Sequence, residues 1–531
     1  MYKKIALMLI SLLLVSSFVF AGKIFAQPTI KIGIIGPVGL PHWEPSGMKP
    51  AAELAAKEIN DAGGVNVGGT KYKIELLFEN EWAIDPATGL PNPTEAVKAV
   101  TNLLTAGAQF IIGGFRTEVT EPIIEAVMDW NEDPAHTPVL FFIDGASTNE
   151  LIGNTVGKDY ERYKWLFRNM PVNSTALFYT ITAYLKYYLI PQKLLKMYGH
   201  PVKYAVLLED LEWTKAMEAP LTVPAYYTQL LGPNVTMVYY ARVPETATDF
   251  STWLNAVKES GARMMIFVFS GRPGNPLIAQ WRDLQVPAIP VGINVIGQLE
   301  VHWPLTAGKC EYEVHMVWAG TRTPIVPGYS EVFWDNFCKY TETKYKGTPY
   351  EKAGGWWPIY TAAGAYDSIY AIKDAVEAAG LNPEDLVEYL ETSERTVLTG
   401  QFRYTAWHDI FCKDFGPVWP VLEGKEYGIT RACMVQWIAG KMEVVSPIDK
   451  PYSRKTRIPP WMYELADFDV NFDGQVNIMD ISTAATAYGS KGGQPRWNIE
   501  ADVNVDGVIN ILDLANIAKN FGRKVPQWPL P

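Results

Sequence analysis

Near the carboxyl end of the chain, one twelve-residue pattern of oxygen-bearing side chains occurs twice. Asp469-Val-Asn-Phe-Asp-Gly-Gln-Val-Asn-Ile-Met-Asp480 returns 33 residues later as Asp502-Val-Asn-Val-Asp-Gly-Val-Ile-Asn-Ile-Leu-Asp513. Asp469, Asn471, Asp473 and Asp480 in the first copy, and Asp502, Asn504, Asp506 and Asp513 in the second, fall at loop positions 1, 3, 5 and 12. That spacing wraps oxygen atoms around a hard cation, with Gln475 and Val508 contributing backbone carbonyls at position 7. Gly474 and Gly507 stand at position 6, where the loop turns sharply and a residue without a Cβ does so without strain. Carboxylates crowded this closely repel one another unless a cation offsets them. The pattern therefore predicts two Ca2+ sites, each followed by one helix.

Elsewhere the residues that do chemistry are scattered. The sequence contains no G-x-S-x-G, no H-E-x-x-H and no phosphate-cradling glycine loop ahead of Lys-Ser/Thr. The six histidines form no metal-ligand spacing. No catalytic residue is expected. The net charge of −11 comes without a basic stripe, which argues against nucleic acid as a partner.

The elements that must hold any site come next. A chain of 531 residues, 48% hydrophobic and 19% charged, is globular and long enough for two or three folding units. Lys3 and Lys4 precede an apolar or small-residue run from Ile5 to Phe20, and small residues at Ala21 and Ala26 offer cleavage sites. Residues 1–26 thus read as a secretory signal, with a retained membrane anchor as the alternative. The expected location is extracellular or at the cell surface. The cysteines are Cys310, Cys338, Cys412 and Cys433. None lies near the cleavage sites, so no lipid anchor on an N-terminal cysteine is expected. Three disulfide pairings are open in an oxidising compartment, and a short hairpin favours Cys412–Cys433.

From residue 27 to about 450, short apolar runs alternate with amphipathic stretches. Lys31–Ile35, Tyr72–Phe78, Phe110–Gly114 and Val139–Ile143 read as strands in a first series. Tyr204–Leu208, Val235–Tyr240 and Met264–Phe269 continue the rhythm in a second. Strands alternating with helices give parallel sheets of βαβ units, and two series give two doubly wound α/β lobes. Ligands of such sheets bind beyond the carboxyl ends of the strands. Residues directly following each strand are therefore the ones to watch.

Gly36-Pro37 after the first strand, the helix end Glu58-Ile-Asn-Asp-Ala-Gly-Gly64, Gly113-Gly114, Ala365-Tyr-Asp-Ser-Ile-Tyr-Ala-Ile372 and Val435-Gln-Trp-Ile-Ala-Gly-Lys441 carry a family likeness. In order and spacing they resemble the type I periplasmic binding fold, in the branched-chain amino-acid and amide branch of ABC-transporter solute receptors. The resemblance implies lobe one at about 27–172 and 321–403, and lobe two at about 173–320 and 404–450, closing around solute by a hinge. It implies an amino-acid-like or amide-like solute and an ABC permease partner.

Carried onto this chain, the likeness points to Thr117 at a helix N-terminus, where unpaired amides and the dipole suit a carboxylate. Plain N-capping is the alternative use of Thr117. The turn Gly145-Ala146-Ser147 matches one that lets backbone approach the ligand, and Trp213 falls where a covering aromatic is common. Asn294 stands near the position of an acid for the ligand's ammonium group, a charge Asn does not supply. Asp144 or Glu118 would have to compensate. Trp357 and Tyr360 are candidate walls, as are His42 and Trp43.

Two Asp-terminated loops, each with a single helix, resemble a dockerin domain at 464–525, joined by a stiff basic linker at 451–463. That resemblance implies a cohesin-bearing surface partner read by Ile478-Met479 and Ile511-Leu512. The expected function is solute capture for an ABC importer with surface attachment through the dockerin. The alternative is a scaffold or adhesion component that keeps the binding fold without transport.

Overall fold

A computed structural model describes residues 27–38, 47–81, 83, 91–170, 173–199, 201–271, 273–318, 328–398, 400–412, 432–448, 450–525 and 529–530. The expected signal segment, His42, Trp43 and the side chain of Cys412 lie outside the described residues. Cys310 is a free, fully buried thiol.

The first sheet is built from β1 (Thr29–Gly36), β2 (Val65–Val67), β3 (Thr70–Asn80), β4 (Phe110–Gly113), β5 (Leu140–Ile143) and β6 (Leu166–Arg168), in the order β2-β3-β1-β4-β5-β6. All neighbours run parallel except β2, which folds back on β3. The central strand needs apolar residues on both faces, because helices cover both sides. Ile30, Ile32, Ile34 and Ile35 of β1 are all buried, and Ile32 is in register with Leu76 on one side and Phe110 on the other.

The second sheet takes β7 (Val202–Glu209), β8 (Val235–Val243), β9 (Met264–Phe269), β10 (Ile289–Asn294) and β11 (Val314–Val317). The chain then returns to the first lobe for the helices Ser330–Tyr345 and Tyr360–Ala379 and a small antiparallel sheet of β12 (Arg395–Val397), β13 (Gly400–Tyr404) and β14 (Ile410–Cys412). It comes back as β15 (Cys433–Ile438) and β16 (Lys441–Ser446), which extend the second sheet to the order β16-β15-β11-β10-β9-β7-β8. This is the two-sheet α/β architecture expected from the alternating pattern.

Residues 404–412, assigned to the second lobe in the sequence reading, sit on the first. Arg168 is wholly buried and donates to both carboxylate oxygens of Asp409, at 2.9 and 2.8 Å. Tyr404 donates its hydroxyl to Asn169, and the His408 ring lies against the Leu166 carbonyl at 2.9 Å. β14 thus ends on the first lobe, while β15 lies in the second sheet.

The expected spacer is also different from its sequence pattern. Ser453, Lys455, Thr456 and Ile458 are buried. Arg457 exchanges backbone hydrogen bonds with the Gln436 side chain of β15, at 2.7 and 2.9 Å, and its guanidinium pairs with Asp467. Trp461 packs its ring 5.3 Å from that of Trp281. In place of a stiff basic linker, the segment lies along the second lobe with Lys455 and Arg457 both on Asp467.

In the C-terminal module the helices Ile478–Thr486 and Ile511–Lys519 pair with one another. Each begins with a reciprocal cap, Asn477 with Asp480 and Asn510 with Asp513, which satisfies otherwise orphaned amides. No helix among the described residues is long and apolar enough to cross a membrane.

Candidate functional site

Both sheets point the carboxyl ends of their strands at one narrow cavity of about 40 Å³. From the first lobe it is lined by Phe115, Arg116 and Thr117 after β4, by Gly145, Ala146 and Ser147 after β5, and by Tyr360 at the start of a long helix. From the second it receives Leu177, Trp213 after β7, Ser270 after β9, Ile293, Val295 and Gln298 around the end of β10, and Trp318 after β11.

Local chemistry explains these positions. Arg116 caps the helix Thr117–Glu132 in extended conformation without a side-chain cap bond, and its carbonyl accepts from the Val119 and Thr120 amides, so the start of the helix with its positive dipole end opens on the cavity at Thr117. Thr117 shares a 2.6 Å hydroxyl contact with Thr148, tying the two first-lobe loops together. Gly145 has φ +152°, and a Cβ there would lie 2.5 Å from the Phe115 Cα, so only glycine lets the turns approach this closely. The Ser147 carbonyl accepts from the Ser174 amide at 2.8 Å, which anchors its turn to the helix carrying Leu177.

In the lining, the buried Trp213 indole N–H and the buried Gln298 side-chain oxygen have no hydrogen-bond partner among the described residues. A buried donor or acceptor left unmade costs roughly 1–3 kcal/mol, which a ligand with matching groups would recover. Across the cleft mouth Arg116 pairs with Glu245 of the second lobe at 2.6 Å, both side chains largely buried. Glu118 accepts from the Glu212 amide at 3.3 Å.

Six of the eight expected contacts, Thr117, Gly145, Ala146, Ser147, Trp213 and Tyr360, meet at the cavity; Asn294 and Trp357 do not line it. The Asn294 side-chain amide is turned to Glu313, donating at 2.7 Å, and Glu313 in turn contacts His302 at 2.6 Å and His315 at 3.5 Å. Burial alone would raise Glu313, yet the neighbouring His302 and its hydrogen bond hold the carboxyl below its ordinary range. Burial pushes His315 down to about 4. Trp357 stacks on Trp437, centroids 6.0 Å apart, and packs half-buried against the second-lobe core.

Neither proposed compensating acid faces the ligand space. Asp144 is fully buried, and burial together with the Asp367 and Glu81 carboxyls holds it well above the usual carboxylate range. A Cβ on Gly364 would meet its carboxylate at 2.0 Å. Ser270, Gln298 and Trp318 were missed in the sequence, although each follows a second-lobe strand closely. The same strand-end rule used for the first lobe would have found them.

Beneath the Phe115 turn, Glu81 accepts from the Phe115 amide at 2.6 Å, and burial raises its carboxyl to about 8. A carboxyl raised in the folded state from 4.5 to about 8 contributes stability that is full below pH 4.5 and lost as pH rises through 8. Glu81→Gln is therefore expected to gain on the wild type as pH rises, by about 1 kcal/mol per unit at the steepest point. Melting temperatures of both proteins at pH 5, 7 and 9 check this; a constant difference contradicts it.

A profile described as periplasmic binding protein matches residues 29–409, and one described as dockerin type I domain matches residues 467–522. The chain belongs to the periplasmic binding protein family. It carries a dockerin type I domain at its C-terminus, and its family is one of non-enzymatic solute-binding proteins. Among solved structures it is similar to the branched-chain amino acid transporter substrate-binding protein LivJ of Streptococcus pneumoniae with isoleucine. That match has a TM-score of 0.57 at 18% identity, covering 79% of this chain and 100% of that one. A Rhodopseudomonas palustris solute-binding protein with 4-hydroxybenzoate matches with a TM-score of 0.53 at 16% identity, over 78% and 95% of the two chains. A Desulfitobacterium hafniense substrate-binding protein with leucine matches at 0.53 and 15% identity, over 78% and 99%. No curated protein matches the chain.

In this periplasmic binding protein the two dockerin loops repeat one hydrogen-bond pattern. Asp480 accepts from the amides of Val470, Asn471 and Asn477, and Asp513 from those of Val503, Asn504 and Asn510. Asp469 takes the Asp473 and Gly474 amides, and Asp502 those of Asp506 and Gly507. Asn471 and Asn504 orient the position-5 aspartates at 3.0 and 2.9 Å. Burial first, then neighbouring carboxylates, raises both Asp469 and Asp502 to about 6. Among the described residues no three acidic, histidine or cysteine side chains converge on a metal-sized centre. The donor set nonetheless fits a hard cation, because amide and backbone oxygens complete the carboxylates of each loop.

Proposed function

We propose that this protein is an exported receptor that captures a small amino-acid-like or amide-like solute between its lobes and presents it to an ABC permease. The observation that carries the reading is the cavity formed by strand ends of both sheets, with the start of the helix Thr117–Glu132 on one wall and the unpartnered Trp213 and Gln298 groups on the other. A carboxylate on the amides at Thr117 and near Ser147 leaves an apolar body against Phe115, Leu177, Trp213 and Trp318. Isoleucine, leucine and 4-hydroxybenzoate, the ligands of its structural neighbours, share this plan of a carboxylate on an apolar body. Isothermal titration with these three solutes tests the reading. Binding that Gln298→Ala weakens supports it, and binding indifferent to Gln298 contradicts the placement of the solute.

The dockerin is proposed to bind two Ca2+ ions, through Asp469, Asn471, Asp473, the Gln475 carbonyl and Asp480, and through Asp502, Asn504, Asp506, the Val508 carbonyl and Asp513. Bound calcium would supply the positive charge that lets these loops close. Ile478, Met479, Ile511 and Leu512 at the two helix starts are all more than half exposed, which supports a cohesin-type surface partner for attachment.

A further inference from the structure

The dockerin does not hang from the receptor. Its calcium-loop side faces a helix of the second lobe that widens to π-helical geometry over Leu185–Leu194 around Pro191, which has no amide to donate. Lys193 of that helix is buried and forms a 2.6 Å ion pair with Glu500, two residues ahead of Asp502. Tyr188 donates its hydroxyl to the other Glu500 oxygen at 2.8 Å. Phe472, inside the first loop between Asn471 and Asp473, is buried with φ +58°. The Lys193 and Lys196 ammonium groups lie 5.0 and 5.7 Å from its ring centre.

The packed linker closes the grip from the other side. Tyr463 donates its hydroxyl to Asp469, the first residue of loop one. A Cβ on Gly507 of loop two would meet the Arg454 guanidinium at 2.6 Å, and one on Gly492 would meet the Lys450 carbonyl at 2.1 Å. Near the C-terminus the Leu530 amide donates to the Met197 carbonyl at 2.7 Å. Both loops thus share residues, or immediate neighbours, with the contact to the receptor. Their helix starts, Ile478-Met479 and Ile511-Leu512, stay exposed.

We propose that calcium closes the two loops and the interface together, so that the dockerin is clamped on the second lobe when loaded and released when stripped. The inference rests on the calcium reading above. A loop that opens without its ion moves Phe472 off the two lysines and carries Glu500 away from Lys193, leaving a buried ammonium without its carboxylate. Linkage demands the reverse effect as well, because undocking must weaken calcium by the same factor that calcium favours docking.

Hydrogen–deuterium exchange on the full chain tests this, with calcium and with EGTA. Residues 467–522 report on the loops, and residues 185–198, which hold no proposed calcium ligand, report on docking. Chelation is expected to raise exchange in both. Faster exchange in 467–522 with 185–198 unchanged overturns the coupling while sparing the calcium reading. No change in either segment overturns both. A Lys193→Met, Glu500→Gln double variant, which removes both charges of the buried pair, is expected to lower calcium affinity at least about fivefold. Unchanged affinity also overturns the proposal.

Discussion

Asp409→Ala is expected to lower the stability of the first lobe by about 3–5 kcal/mol, because it leaves the wholly buried Arg168 guanidinium without its carboxylate. Arg168 makes a two-pronged contact with Asp409, and Asn173 adds a third hydrogen bond to the same carboxylate at 2.8 Å. The remaining Arg168 contact is to the Thr148 carbonyl at 2.8 Å, so strain there would reach the Thr117–Thr148 contact at the cavity. Urea unfolding followed by tryptophan fluorescence gives the loss. An Arg168→Met, Asp409→Leu variant should recover much of it, since an apolar pair of similar volume carries no unpaired charge. A loss under about 1 kcal/mol, the worth of an exposed ion pair, would show that this pair is not buried as described.

The second large effect concerns calcium. Replacing both Asp473 and Asp506 by Ala should abolish the response of the full chain to calcium. A ligand that binds only the folded state stabilises it by about 2.7 kcal/mol per site at a hundredfold excess over Kd. Saturating both loops should therefore raise the resistance of residues 467–522 to urea markedly in the wild type and leave the double variant unmoved. Pulse proteolysis across a urea series, with and without calcium, resolves the two. A double variant that still responds to calcium would place the ions elsewhere.

Much of this was legible in the residues, and the exceptions have physical causes. Strand positions were readable because central parallel strands are buried on both faces, so Phe110–Gly114 and Met264–Phe269 stand out as uninterrupted apolar runs. The dockerin loops were readable because oxygen ligands must recur at set offsets. Asn294 misled because position after a strand says where a backbone lies and not where a side chain turns. Its partner Glu313 comes from a different stretch of chain, just ahead of β11. The linker misled because Lys455 and Arg457 stand in a proline-flanked basic run that reads as a stiff spacer, while the Asp467 that pairs with Arg457 is ten residues on and brought back by folding. The extent of the first lobe was misjudged for a similar reason. The buried pair Arg168–Asp409 joins residues 241 positions apart, a distance no local periodicity reports.

The central claim is that solute binds in the interlobe cavity, on the Ser147 turn and under Trp213. It is tested most directly by denaturing protein purified from its native source, identifying the released small molecule by mass spectrometry, and titrating it back calorimetrically. The account predicts a carboxylate-bearing solute that Trp213→Ala binds at least about thirtyfold more weakly, a loss of roughly 2 kcal/mol. Ser147→Ala should bind it about tenfold more weakly, with both variants folded as the wild type is. Normal binding of that solute by both variants would contradict it.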